Sequence, residues 1–199
     1  MTVTYVIISG IAWLINKLVL FIKVENKKNL KFKGKVVLVS NHVSFWDPVF
    51  LGGAFKTQLH FMSKAELFKN KIIAWFLNQL GAFPVKRGQG DYAALKRSFE
   101  ILNEEKCLSI FPEGTRVKNQ IGEFQKGAAA IALKMDAPVL PIYIHGDYSL
   151  FKRMYLVIGE PINLRDKVTH KGKDANTKGT EVVRQEIIKL KSEFEKNKS

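Results

Sequence analysis

The sequence predicts an α/β fold: a mixed, largely parallel twisted sheet flanked by helices and led by an N-terminal membrane-associated helix. Three observations carry that expectation. Short continuous apolar runs recur along the chain and alternate with segments of helical periodicity. The first apolar stretch, from Val3 to Ile22, is long enough to touch or span a bilayer core. The 199 residues, 46% hydrophobic and 25% charged, suit one folded domain better than a disordered chain or a multi-span membrane protein.

The N-terminal stretch lacks a charged start and a small-residue cleavage site, which argues against a removable signal peptide. On a helical wheel Thr2, Ser9, Asn16, Lys17 and Lys23 gather on one narrow side, and Ile7, Ile11, Leu14, Leu18 and their neighbours cover the other. That asymmetry favours a helix lying in the lipid interface over one crossing it. A core helix packed on the domain would show a similar pattern. Lys27, Lys28, Lys31, Lys33 and Lys35 lie beyond it, and each contributes on the order of 1 kcal/mol beside an anionic leaflet. The chain therefore divides into an anchoring helix, residues 1–23, and one domain, residues 24–199, with no boundary after the anchor.

Along that domain, Val36–Ser40 reads as a buried strand. Asp47 comes next as a helix cap, with Pro48 at the first helical position. Leu59–Met62, Ala82–Val85, Cys107–Phe111, Val139–Ile144 and Tyr155–Ile158 are the other strand candidates. Asp91–Glu104 carries Leu95, Phe99 and Leu102 at helical spacing, capped by Asp91, and Lys126–Met135 is Ala-rich and helical. Asn163–Thr180 turns polar and Gly-punctuated and reads as a loop. A terminal helix runs from Glu181, with Val183, Ile187, Leu190 and Phe194 on one face.

Lys and Arg number 32 against 18 Asp and Glu, a formal net charge of +14. Such a surplus attracts nucleic acid, an acidic lipid surface or an acidic carrier protein, and charge alone does not choose. Nothing resembles a nucleic-acid reading element, and the aromatic residues sit mostly in apolar runs instead of among the lysines, so no nucleic-acid partner is expected. The single cysteine, Cys107, permits no intramolecular disulfide and reads as a core residue, consistent with a reducing, cytoplasmic compartment. His42, His60, His145 and His170 are scattered without chelating spacing, so neither a metal nor a cofactor is expected.

Four clusters carry chemistry. Asn41-His42-Val43-Ser44-Phe45-Trp46-Asp47 comes directly after a strand, where ligand sites form in α/β sheets. A histidine there can act as a base, and a carboxylate on its far nitrogen fixes the tautomer. On an ideal helix His42 and Asp47 would lie about 140° apart, so their meeting requires a turn. Taken alone, most such pairs are incidental. Ser44 is suited to bonding the backbone of that turn. Phe111-Pro112-Glu113-Gly114-Thr115-Arg116 stands at the end of another strand: Gly114 permits close approach or positive φ, and Arg116 can grip a phosphate with two parallel bonds. A surface turn with a charge pair would read the same way. Gly81 to Gly88 places Lys86 and Arg87 at the exit of an apolar segment, where a solvated basic turn is the plain alternative. Ala137 to Ile144, with Pro141, looks like a rigid strand entry and mostly core.

Together and in this order, the clusters resemble the glycerolipid acyltransferase family, and within it the bacterial lysophosphatidate acyltransferases. The resemblance runs from about Val36 to Pro161 and rests on the Asn-His-x-Ser-x-x-Asp and Phe-Pro-Glu-Gly-Thr-Arg blocks. It implies that residues 24–199 form the catalytic domain, with His42 the general base and Asp47 its orienting carboxylate. Phosphate and glycerol contacts would fall on Glu113, Gly114 and Arg116, with Thr115 and Lys86 grouped beside them. Arg87 matches the second motif, Pro141 the fourth, and Lys126 a position where relatives often carry a cation.

The resemblance also implies direct transfer of an acyl group from acyl-CoA or acyl carrier protein to the free hydroxyl of a lysophospholipid, at the cytoplasmic face of the membrane. Glycerol 3-phosphate and other lysolipids are alternative acceptors, and a non-catalytic basic membrane-binding protein is an alternative of another class. The N-terminal region is short beside relatives with a longer helical hairpin. The apolar run Ile72–Leu77 reads as buried core, with an acyl groove or lipid contact as its alternatives.

Overall fold

The computed structural model describes residues 3–18, 21–55, 57–86, 90–117, 120–146, 148, 153–169 and 172–198. Arg87 and His170, and Thr2 of the N-terminal polar side, lie outside them. In chain order the elements are α1 (Val3–Leu18), β1 (Lys23–Glu25), β2 (Val36–Ser40), α2 (Asp47–Ala54), β3 (Leu59–Lys64), α3 (Lys71–Gln79), β4 (Ala82–Val85), α4 (Tyr92–Asn103), β5 (Cys107–Ile110), α5 (Gly127–Met135), β6 (Val139–His145), β7 (Tyr155–Ile158), α6 (Leu164–Lys167) and α7 (Gly172–Lys196).

Among the described residues seven strands form one sheet in the order β1-β7-β6-β2-β5-β3-β4, with every pair parallel except β6 and β7. The mixed, mostly parallel α/β architecture is therefore as the sequence predicts. β2, β5 and β7 are buried along their whole length, which is why they read as unbroken apolar runs. Successive side chains alternate between two cores. Val37, Val39, Leu108 and Ile110 pack with α4, α5 and α7. Val36, Leu38, Leu140 and Ile142 pack with Leu51 of α2 and with Phe55 just after it. Cys107 lies in this second core, where burial pushes its thiol up to about 12, the setting of an inert structural residue. His60 is also interior, its Nδ1 3.2 Å from the carbonyl of Cys107.

β2 and β5 pair in register, Val36 with Cys107 through Val39 with Ile110. From β2 the chain leaves through α2 on one face; from β5 it leaves through α5 on the other. The carboxyl ends of these two strands thus flank a topological switch point, where α/β sheets open a crevice. Asn41 is the brace there: its side chain donates to the carbonyl of Ile144 (3.0 Å) and accepts from that residue's N–H (2.8 Å), tying the end of β2 to β6.

Several elements differ from expectation. Asn163–Thr180 is largely helical: α6 and the first turns of α7 occupy it. Ala175 and Gly179 are buried in series with Val183 and Ile187, so small residues extend the α7 seam. The hydroxyls of Thr177 and Thr180 bond the carbonyls four residues back. β1 forms at the sheet edge inside the lysine-rich segment, pairing Lys23–Glu25 with β7. Asp47 is not the cap of α2: Trp46 holds that position, and the carboxylate turns backward. Ile72–Leu77 is not core either, since α3 has no buried residue and Ile72 and Trp75 are 79% and 57% exposed.

α1 is docked with its apolar side outward. Tyr5, Ala12 and Asn16 are buried, whereas Ile7, Ile11, Trp13, Leu14 and Leu18 stand exposed. The Tyr5 hydroxyl donates to the carbonyl of Thr57 (3.2 Å) and accepts from the N–H of Leu59 (3.3 Å). Asn16 donates to the carbonyl of Phe50 (3.2 Å). The helix can sit this close because α2 presents Gly53: a Cβ there would lie 2.8 Å from Asn16 Nδ2 and 3.0 Å from the backbone nitrogen of Trp13. Gly53→Val is therefore expected to cost about 1–3 kcal/mol and to loosen α1. Urea denaturation and limited proteolysis between α1 and β1 measure this; unchanged stability and cleavage would show that the seam tolerates a side chain.

Candidate functional site

The chain leaves β2 at Ser40 and turns within six residues into α2, and Asp47 organises that turn. Its carboxylate has no exposed surface. Oδ2 accepts from the Val43 N–H (2.8 Å), from the Ser44 N–H (2.9 Å) and from Nδ1 of His42 (2.7 Å). Ser44 bonds the turn's backbone, its Oγ accepting from the Trp46 N–H (3.2 Å). Because Oδ2 is acceptor-only, the His42 proton belongs on Nδ1, and Nε2 is left as the basic nitrogen of the neutral ring. The ring stacks on Phe111, centroids 4.3 Å apart, which limits its rotation.

The second cluster meets the first because β2 and β5 are neighbours in register. Three residues beyond the Val39–Ile110 pair, His42 stands beside Glu113. The Glu113 carboxylate accepts from the His42 N–H (2.8 Å) with one oxygen and from the Gly122 N–H (2.8 Å) with the other. Burial raises its pKa and the two N–H bonds oppose that. The loop returns through Val117, whose N–H donates to the His42 carbonyl (2.8 Å). Gly114 holds φ +66°, and a Cβ there would collide with the Gln125 side chain.

His42 opens on a cavity of about 1330 Å³. Phe61, Ala82, Ile110 and Ala128 give its interior an apolar wall. Gly114, Thr115, Arg116 and Lys86 also line it, so five candidate site residues share one space. Arg116, Thr115 and Lys86 are exposed. Two candidates are placed differently. Glu113 is buried behind His42, each oxygen accepting one backbone N–H, and it is not on the cavity wall, so its observed contacts support the turn. Lys126 is exposed at the start of α5, between the lining residues Gln125 and Gly127 but not itself on the wall. Pro141 lies within β6 in the buried sheet, next to β2. Among the described residues no three His, Cys, Asp or Glu side chains gather as a metal site.

Tyr148, which no motif points to, completes the Asp47 shell. Its hydroxyl donates to Oδ1, the oxygen His42 does not use, and its ring stacks on Phe50 at 4.7 Å. Burial, first, and the Asp47 charge, second, push the phenol far above its ordinary range, so it serves as a neutral donor. Its distance of 101 residues from Asp47 in the chain hides the pairing from any local pattern.

The fold and this site define a class: α/β proteins with an aspartate-held histidine at the carboxyl ends of parallel strands, facing an apolar cavity. The Acyltransferase family profile matches residues 21–145, which contain both motif clusters. The chain belongs to that acyltransferase family. It is 35% identical over 180 residues to the 1-acyl-sn-glycerol-3-phosphate acyltransferase of Bacillus subtilis, covering 87% of this chain and 90% of the relative. It is 33% identical over 168 residues to the enzyme of that name from Streptococcus pneumoniae, covering 80% of this chain and 59% of the relative. The crystal structure of the 1-acyl-sn-glycerophosphate (LPA) acyltransferase PlsC from Thermotoga maritima superposes with a TM-score of 0.73 at 26% identity, covering 94% of this chain and 79% of that one.

Tyr148→Phe keeps the stacked ring but leaves Oδ1 of a buried carboxylate without its donor. A loss of about 1.5–3 kcal/mol in urea denaturation is expected, the range for a hydrogen bond to a charged group. Wild-type stability would mean that water replaces the hydroxyl.

Proposed function

We propose that this acyltransferase moves a fatty acyl group from an acyl thioester to the free hydroxyl of a 1-acylglycerol 3-phosphate, yielding phosphatidic acid, with His42 as general base and Asp47 as its orienting carboxylate. The observation that carries the reading is the 2.7 Å bond from His42 to Asp47, on a ring that faces an apolar cavity also lined by Arg116 and Lys86. The names of the relatives support lysophosphatidate as the acceptor.

In this mechanism Nε2 of His42 takes the proton of the acceptor hydroxyl as its oxygen attacks the thioester carbonyl. Asp47 stabilises the imidazolium that results. The tetrahedral intermediate then expels the thiolate, which recovers the proton from His42. Arg116 and Lys86 hold the acceptor phosphate so that the hydroxyl points at the base, and such orientation supplies several kcal/mol. Arg87, adjacent in sequence, is assigned to the same task. Acyl-CoA and acyl carrier protein both suit the basic surface as donors, because both are anionic.

The same reading puts the enzyme on a membrane. Among the described residues no helix is long and apolar enough to cross one. The outward apolar side of α1 instead supports residues 1–23 as an interfacial anchor at the cytoplasmic face, flanked by the lysines from Lys23 to Lys35. Residues 24–199 form the catalytic domain, with α1 packed against it.

His42→Ala and Asp47→Asn are each expected to lower kcat on lysophosphatidate by about a hundredfold to ten-thousandfold, the range of general base catalysis, while vesicle binding persists. Near-normal transfer by His42→Ala would disprove the base assignment. Arg116→Ala is expected chiefly to raise KM for lysophosphatidate, with a smaller loss when the acceptor carries no phosphate. Equal losses on both acceptors would remove Arg116 from headgroup recognition.

A further inference from the structure

The mouth of the cavity differs from its interior. Inside, the apolar wall is covered. At the rim, apolar side chains that line the same cavity stand in the open: Phe45 and Trp46 in the turn before α2 are 58% and 54% exposed, and Ile72 and Trp75 on α3 are 79% and 57% exposed. Ile11 and Ile15 of α1, also exposed, line the space as well, so the outward face of that helix runs into this rim.

α3 has no packing reason to carry Ile72 and Trp75. None of its residues is buried, and its start is held by a local device, the Asn70 side chain accepting from the N–H groups of Ile72 (3.0 Å) and Ile73 (3.1 Å). The cap and the packing of Leu77 on the second core thus hold the helix with Ile72 and Trp75 turned outward, a costly arrangement for a contiguous apolar surface left to water. The surroundings indicate what covers it. Lys64, Lys69 and Lys71 are exposed on and just before this helix, and the chain carries a net charge of +14. Tryptophan and aliphatic side chains bordered by lysine match the boundary between acyl chains and anionic headgroups.

We propose that α3, together with the Phe45–Trp46 turn, is a second lipid-inserting element that works with α1 to seat the mouth of the cavity on an anionic bilayer. A lipid acceptor then passes sideways from the leaflet to His42 without exposing its tail to water. This rests on the interfacial reading of α1 and on the acyltransferase reading of the site, but not on which thioester is the donor.

The test uses the full chain in two single-tryptophan forms. Trp13→Phe with Trp46→Phe leaves Trp75 as reporter, and Trp46→Phe with Trp75→Phe leaves Trp13. Each is mixed with vesicles of phosphatidylcholine and phosphatidylglycerol whose acyl chains are brominated. Quenching of both reporters, by about twofold or more, is expected if both helices enter the apolar layer. Ile72→Ser with Trp75→Ser is expected to weaken vesicle partitioning about tenfold or more. It should likewise lower kcat/KM for a bilayer-embedded acceptor, by about tenfold more than for a short-chain monomeric acceptor.

Quenching of Trp13 alone would overturn the role of α3 and leave α1 as the only anchor. Quenching of neither would overturn the membrane reading of both helices. A Trp75 emission shift on raising protein concentration without vesicles would give this face to a second copy and refute the proposal. Equal loss of turnover on both acceptors would also refute it, by placing α3 in the chemistry. Absence of turnover in the unmodified protein would count against the acyltransferase reading and leave the quenching result to decide the docking.

Discussion

Asp47 has no surface open to solvent, yet it stands within a few residues of an open cavity. Burying an unpaired carboxylate costs several kcal/mol, so such a group persists only where donors converge on it. Here three converge on one oxygen and a fourth on the other. Two of the four are backbone N–H groups of the turn, so satisfying the charge requires the chain to adopt that turn. The third is the His42 ring, so the same requirement fixes the ring's tautomer and direction. Local folding and site geometry are therefore one constraint.

That constraint needs a platform, which the parallel pairing of β2 with β5 supplies. The register carries His42 and Glu113 forward from adjacent strands to the same level, and the buried Glu113 then binds the His42 backbone. Asn41 ties the opposite side to β6. The turn is thus held from both neighbouring strands and from within. Glu113 and Asp47 are two buried carboxylates with separate tasks. One holds the main chain of the histidine and the other holds its ring, so a ring bonded through Nδ1 and stacked on Phe111 has little freedom left.

Much of this is legible in the letters, and the parts that are not have physical reasons. β4 and β7 match their apolar runs at both ends, and Asp91 caps α4 by accepting from the Ala94 N–H, because such signals are local. The two motif blocks are readable for the same reason. Tyr148 is not, since nothing in its neighbourhood announces a partner beyond the sheet. α7 begins earlier than its large apolar residues suggest because Ala175 and Gly179 continue the seam with little hydrophobic signal. Ile72–Leu77 reads as core because hydrophobicity reports a preference for leaving water, not the identity of what replaces it.

The exposed apolar faces of α1 and α3 connect to the site through the packing beneath them. A helix that faces protein with Tyr5, Ala12 and Asn16 and faces outward with isoleucine and leucine reverses the usual order for a surface helix. Tyr5 and Asn16 are committed to hydrogen bonds with the carbonyls of Thr57 and Phe50, which fix its angle, and the glycine beneath it sets its depth. An outward apolar face held this rigidly has a defined plane. The same helix lines the cavity together with α3, so the plane of the outer face and the mouth leading to His42 are set by one packed seam. Under the proposed function, orientation of the enzyme on its lipid surface and access of the acceptor to the base are then determined together.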